Sequence, residues 1–458
     1  MTYERTWMHL KRRHRSRAHL WGPALLVAGL MLSASPGHAQ EVDIHGFFSQ
    51  GYLKSSGNNY LAQSKAGDWE FTEIGLNFGT NLTDDLRYGM QFYARQLGDL
   101  GGMRLEYDWA FLDYTWESWA SLRIGRMKNP YGLYGEYQDL DLTRPTVILP
   151  QSVYFLAIRD IIVNINGVQL YGNIDWFEDY GLGNFDYQLI VGAVMGTPVD
   201  DTESSAAGFF ENRGYDEFNG VSAVDIQDID TGGEVSISLQ WNTPWEELTD
   251  YDYGSLILRY TSLYASNVKV RGELNPELLS ELREIGAVEE NFKPYLEYNV
   301  EYLWFWVGSL EYTYENAIFS AEYTRCFGIF ESNLHPVIPH SPLNQEAFYL
   351  QLSYRLSDFI QVAAYYSVQY DPEDRQGKNP TRYAQDLNNN PDLLEPYYKA
   401  WMKDTAISVR FDINDYWLIK LEGHFVDGTA RVYETLNKDN PYLERYWTLF
   451  GAKTTLTF

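Results

Sequence analysis

From residue 42 onward, apolar and polar side chains alternate one for one along most of this chain. Leu86, Tyr88, Met90, Phe92 and Ala94 interleave with Arg87, Gln91, Tyr93 and Arg95. Val235, Ile237, Leu239 and Trp241 interleave with Glu234, Ser236, Ser238 and Gln240, and Ile407, Val409, Phe411 and Ile413 with Ser408, Arg410 and Asp412. A period of two is that of a β-strand with two unlike faces. About sixteen segments read this way, the first from Val42 to Leu53 and the last from Tyr446 to Phe458. Their connections alternate in length. Thr83-Asp84-Asp85, Glu117-Ser118, Glu315-Asn316, Ser357-Asp358 and Asn414-Asp415 are tight turns, whereas residues 129–166, 195–231, 268–293 and 371–403 are long connections. Within the third of these, Leu278, Leu279, Leu282 and Ile285 fall at helical spacing, which predicts a short helix over Asn275 to Val288.

An even number of strands, with long loops at one end and short turns at the other, is the plan of a single-chain transmembrane barrel whose termini lie at the short-turn end. The charged faces set which side is wet. An arginine facing lipid at the bilayer midplane costs roughly 2–4 kcal/mol, so the polar faces are assigned to an aqueous bore and the apolar faces to hydrocarbon. The expected fold class is therefore all-β, a transmembrane antiparallel β-barrel. A two-layer sandwich would bury the same apolar faces against one another, but it accounts less well for the alternating loop lengths.

Composition supports the barrel. Aromatic residues make up 16% of the 458 positions, with 37 Tyr and 14 Trp, while mean hydropathy is −0.37. No stretch beyond the N-terminal region reaches the ~18 to 20 apolar residues of a spanning helix. A barrel wall reconciles many aromatics with a polar average, because only alternate residues meet lipid and aromatic girdles mark the interfaces. Residues 1–39 read as an export signal: a basic stretch including Lys11, Arg12, Arg13, Arg15 and Arg17, an apolar run from Leu20 to Leu32, and Gly37-His-Ala39 as the cleavage site. That leaves 40–458 as one barrel domain. The formal charge is −28, and removal of the six leader cations and Glu4 takes it to −33. Such acidity argues against nucleic acid as a partner. Cys326 is the single cysteine, so no intrachain disulfide can form, and it reads as a wall residue.

The stretch from Ala120 to Gly167 carries the candidate chemistry. Ala120 to Lys128 alternates as a strand, and residues 129–166 then mix Pro130, Pro145 and Pro150 with glycines and charges. A connection that long inside a compact domain is usually functional. Folded inward, it would narrow the bore. Arg126, Lys128, Arg144 and Arg159 would share a small volume with Glu136, Asp139, Asp141 and Asp160, and opposed basic and acidic groups select by charge and width. Along the wall, Arg87, Arg95, Arg123, Arg259, Arg355, Arg410, Lys420 and Lys453 form a basic stripe. Two readings of the stripe stand side by side. It favours anions or small acidic solutes, or each base pairs with a wall carboxylate such as Asp113, Glu234, Glu322, Asp412 or Glu422 and stiffens the wall.

Ile44-His-Gly-Phe-Phe-Ser-Gln-Gly51, Gly125-Arg-Met-Lys-Asn-Pro-Tyr-Gly-Leu-Tyr-Gly-Glu136, Thr143-Arg-Pro145, Leu149-Pro-Gln151 and the terminal Leu456-Thr-Phe458 resemble the Gram-negative outer-membrane porins. The resemblance is closest to the broad group that includes phosphate-selective and dicarboxylate-type porins. The last strand, with Tyr446, Thr448, Phe450, Ala452, Thr454, Leu456 and Phe458 on one face, is similar to the terminal strand of such barrels. The resemblance implies sixteen strands, a third loop forming the constriction, a homotrimer in many members, and passive diffusion of small hydrophilic solutes across the outer membrane. It does not transfer a substrate. Phosphate-selective members use lysine-rich constrictions, and here Lys128 stands alone among carboxylates.

Other chemistries are poorly supplied. Beyond the leader the histidines are His45, His335, His340 and His424, and no spacing joins one to an activated nucleophile. His424 beside Glu422 reads as a wall hydrogen bond. No Cys/His metal spacing and no phosphate-binding glycine loop occur, so neither an enzyme nor a cofactor is expected. Asp386, Asn388, Asn390 and Asp392 faintly resemble a calcium loop, but Pro391 stands where such a loop has its glycine. The acidic loops suit solvation, or divalent-cation bridging to lipopolysaccharide beside outer-membrane lipid. A barrel acting as an adhesin or scaffold through those loops is the alternative to a channel.

Overall fold

The computed structural model describes residues 41–98, 100–156, 159–175, 180–193, 224–230, 232–245, 254–334, 341–370, 397–438 and 443–458. The expected signal peptide, His335, His340, the calcium-like stretch, the Asp160 side chain and most of the 195–231 and 371–403 connections lie outside the described residues.

The wall is a closed antiparallel sheet of sixteen strands. In chain order these are β1 (Asp43–Ser55), β2 (Asp68–Asn81), β3 (Leu86–Leu97), β4 (Glu106–Glu117), β5 (Ala120–Lys128), β6 (Asn164–Ile174) and β7 (Asn184–Ala193). After the accessory β8 (Val224–Asp230) come β9 (Gly233–Asn242), β10 (Ser255–Leu274), β11 (Tyr295–Tyr314), β12 (Ala317–Ser332) and β13 (Ser341–Arg355). The circuit ends with β14 (Ile360–Tyr370), β15 (Trp401–Asn414), β16 (Trp417–Gly428) and β17 (Tyr446–Thr457). Each wall strand pairs with its neighbours in sequence, β7 pairs with β9, and β1 pairs with both β2 and β17, which closes the cylinder. Closure removes the free edges that an open sheet or sandwich would keep. At the seam, Gly46 and Phe458 exchange two backbone hydrogen bonds of 3.0 Å.

Two expectations need correction. The 195–231 connection is not all loop: Val224–Asp230 adds as β8 to the far half of β10, pairing Lys269 with Asp230 and Leu274 with Val224. The 268–293 connection is also shorter than its pattern suggests, because β10 continues to Leu274. The helix follows at Pro276–Glu284, capped by the Asn275 side chain accepting from the Glu277 N–H. Both shifts share one cause. β10 and β11 are 20 residues long, whereas a tilted membrane-crossing strand needs roughly 9–11. The surplus rises beyond the bilayer, where the outer halves of β10 and β11, β8 and the helix bury Leu278, Leu279, Leu282, Val270 and Leu296 as a separate apolar cluster.

The outer face is apolar and exposed, as at Leu112, Ile124, Leu239, Leu352, Ile407 and Phe425. Exposed rings gather at the tight turns, with Trp116, Trp119, Phe359, Tyr416 and Trp417 at three of them, the position of an interfacial aromatic girdle. The alternate side chains face inward, and many are both polar and buried. The cause is the segment between β5 and β6.

Candidate functional site

The segment from Asn129 to Val163 reaches across to the strands opposite its origin. Its backbone N–H groups are bonded by wall side chains: Gly132 donates to Thr261 Oγ1 on β10 at 3.0 Å, Leu133 to Glu322 Oε1 on β12 at 2.7 Å, and Val147 and Ile148 to the two oxygens of Glu422 on β16 at 2.8 and 2.9 Å. Its carbonyls accept in turn. Arg410 donates to the Leu142 oxygen at 2.6 Å, Ser408 to that of Pro145 at 3.2 Å, and Lys420 to that of Asp141 at 2.5 Å. An irregular segment inside a barrel has no ladder of its own, so its polar backbone must be satisfied by side chains. Gly132 marks the closest approach. Its φ is +58°, and a Cβ there would lie 2.4 Å from Tyr154 Oη and 2.7 Å from Glu322 Oε1.

Three charged clusters hold the segment. Asp139 receives a two-pronged contact from Arg159 at 2.9 and 2.6 Å and a contact from Lys128. Asp108 on β4 completes this cluster, 2.6 Å from Lys128 and 3.4 Å from Arg159. Asp141 is the hub of the second. It accepts from Thr455 at 2.8 Å and lies 3.0 Å from Lys420, 3.3 Å from Lys453 and 3.4 Å from Arg144, while Lys453 also meets Glu73. Burial works to raise the pKa of both loop carboxyls. It is outweighed, by Arg159 and Lys128 at Asp139 and by Lys420, Lys453 and Arg144 at Asp141, and both carboxyls are held well below the usual range. The third cluster is Glu322, which accepts from Tyr154 at 2.5 Å and Ser309 at 2.6 Å besides Leu133.

Of the constriction candidates, Lys128, Asp139 and Arg159 come together in the first cluster and Asp141 with Arg144 in the second. Glu136 stands apart, 3.2 Å from Arg259. Arg126 does not join them. It shares the parity of the exposed Leu122 and Ile124, its guanidinium lies over the exposed Tyr107 ring at 5.2 Å, and Nε donates to the Asp108 carbonyl at 2.8 Å. Arg123 and Arg126 are three residues apart, an odd step that puts them on opposite faces of the strand, whereas Lys128, the last residue of β5, turns in to Asp108 and Asp139.

The wall bases are mostly matched. Arg123 meets Asp113 at 2.7 Å, and Arg355 and Arg410 meet Asp412 at 2.9 and 2.7 Å. Arg95 is buried opposite Glu73 in the β2–β3 register. Arg87 is exposed near the turn between β2 and β3. The other wall carboxylates do different work: Glu234 accepts from Asn129 at 2.7 Å, and Glu422 holds the Val147 and Ile148 amides while touching His424 at 3.0 Å. His424 is clamped on its other nitrogen by Asp404 at 3.0 Å.

Asp108 was not a candidate. Alternation gives it the apolar parity of Ala110 and Leu112, but the register slips where Gln91 pairs with Trp109 and Phe92 with Tyr107, a bulge that turns the carboxylate inward to Gln91 at 2.8 Å. An aspartate two residues before the apolar run Ala110, Leu112, Tyr114 and Trp116 was the available signal.

Beside the segment lies a chamber of about 490 Å³, reaching from the turns near Ser118 and Asn173 to the inward faces of β6, β7, β9, β10 and β11. Glu136, Asp186, Glu311 and Arg259 are its charged lining residues, with Tyr137, Tyr171, Tyr187, Gln188 and Gln240 among the rest.

No known family model matches the chain, and no curated protein matches it in sequence. Solved structures match in fold. A loop-deletion mutant of OmpT, an outer membrane protein of Vibrio cholerae, is 10% identical with a TM-score of 0.50, the match covering 92% of this chain and 100% of the other. OprB of Pseudomonas putida is 11% identical with a TM-score of 0.49 over 91% and 94%. An anion-selective porin from Comamonas acidovorans is 11% identical with a TM-score of 0.47 over 92% and 100%. At about 10% identity these likenesses speak for the fold alone, a closed barrel of the kind found in outer-membrane proteins.

Proposed function

We propose that the chain is an outer-membrane porin, a passive diffusion channel for small hydrophilic solutes. The observation that carries this reading is a closed wall with an exposed apolar outside and, within, a polar chamber large enough for a small solute. The segment 129–166 acts as the constriction, and Lys128, Glu136, Asp139, Asp141, Arg144 and Arg159 set its position and charge. Outer-membrane lipid and lipopolysaccharide surround the barrel, residues 1–39 direct its export, and three copies assemble as a homotrimer. A stripe of unpaired bases would favour anions or small acidic solutes, but the contacts of those bases with carboxylates argue against that preference.

Purified protein in a planar lipid bilayer tests the proposal. Stepwise conductance proportional to voltage is expected. A folded but silent barrel would favour an adhesin or scaffold acting through its outer loops.

A further inference from the structure

In a narrow bore the selectivity follows the charges that remain uncompensated, because a fixed ion pair presents passing solutes with little net field. On the packed side of this interior five bases are held by four buried carboxylates, away from the chamber: Lys128 and Arg159 by Asp108 and Asp139, Arg144 and Lys420 by Asp141, Lys453 by Glu73. Arg431, in the connection between β16 and β17, donates to Gln369 and stacks on Phe155 at 3.9 Å. Neither it nor Arg87 lines the chamber.

The chamber has the opposite balance. Three carboxylates face one guanidinium. Arg259 is 3.2 Å from Glu136 and is held by Ser238 at 3.0 Å, so that pair cancels. Among the described residues Asp186 accepts only from amides: Asn173 at 2.7 Å, Asn242 at 2.7 Å and Gln240 at 3.2 Å. These fix the carboxylate without neutralising it. Glu311 accepts from Ser320 at 3.4 Å. Among the described residues neither has a cationic partner, and both are part-exposed toward the chamber.

We infer that the bore favours cations over anions, and that Asp186 and Glu311 are the residues that set this preference. The inference rests on the channel reading above and reverses the sign that a count of wall arginines suggests. The solute class it selects is small and polar with a positive charge: an amine end would sit against the two carboxylates while the surrounding amides and phenols bond its polar remainder.

The test is the reversal potential of the full barrel in a potassium chloride gradient above neutral pH. Salt is kept near 0.1 M or below, where the screening length is about 10 Å. The expected sign is cation-selective. The double variant Asp186→Asn/Glu311→Gln should lower the cation-to-anion permeability ratio by about twofold or more, and Arg259→Gln, which frees Glu136, should raise it. Glu311→Gln alone, which keeps the amide network around Asp186, should lower the ratio by a smaller amount and serves if the double variant does not refold. An anion-selective wild type would overturn the inference, as would a conducting double variant with unaltered selectivity. A folded barrel that passes no current would instead overturn the channel reading, so the two failures are distinct.

Discussion

The two halves of the barrel interior treat the same residue types in opposite ways. Along β12 to β17 the inward segment presses against the wall, and Asp141, Lys420 and Lys453 are almost fully buried within contact of one another. Along β6 to β11 the interior is a chamber, where Asp186 and Glu311 keep part of their surface exposed and have no base beside them. Burial makes the difference. In the packed half a buried charge without partners would cost several kcal/mol, so Asp141 is matched by Lys420 and Lys453, Glu322 is held by three hydrogen-bond donors, and both become fasteners. In the chamber water supplies the compensation, and the charge stays available to what passes.

The contrast can be broken most severely at the hub. Asp141→Ala would leave Lys420 buried without its carboxylate and Lys453 with Glu73 alone, and should cost about 3–5 kcal/mol, read as a lowered denaturant midpoint of the detergent-folded barrel. An unchanged midpoint would mean that the buried cluster is not a fastener. Glu322→Ala orphans the donors on Leu133, Tyr154 and Ser309, at about 1–3 kcal/mol for each that finds no water. Its signature is faster hydrogen exchange at Leu133 and Tyr134, with the wall strands still protected.

Acid should act on the same half. The folded pKa values of Asp139 and Asp141 lie below their unfolded values. Their contribution is therefore fully present above about pH 4 and lost as pH falls through the folded values. Exchange at residues 138–144 should stay slow at neutral pH and rise only in strong acid; release there between pH 5 and 7 would contradict the Asp139 and Asp141 clusters. Gly132→Ala, at a positive φ and against Tyr154, should cost about 1–3 kcal/mol and broaden single-channel current noise. In the chamber, Glu311→Gln should change stability by no more than about 0.5 kcal/mol, read from the denaturant midpoint, so that its effect appears in ion preference alone. A large loss of stability there would erase the distinction between the halves.

Legibility in the sequence followed the range of the physics. Strands, turns and apolar faces could be read because the side-chain period is local: Leu239 and Ile407 face outward for reasons contained within a few neighbouring residues. Arg126 was misplaced where parity was set aside for proximity in sequence, and Asp108 was missed because a bulge resets parity through its partner strand. The helix was visible from Leu278, Leu279 and Leu282, but the reach of β10 and its pairing with β8 depended on an apolar cluster assembled from four elements.

The sequence by itself determined that the wall would form and which side of it would face lipid, since alternation and turn spacing are properties of adjacent residues. Only the tertiary structure decided what each interior charge does. Asp141 meets Thr455, 314 positions further along the chain, and no local pattern encodes that meeting. Whether a base is an anion site or half of a buried pair depends on the partner that closure of the cylinder brings opposite it.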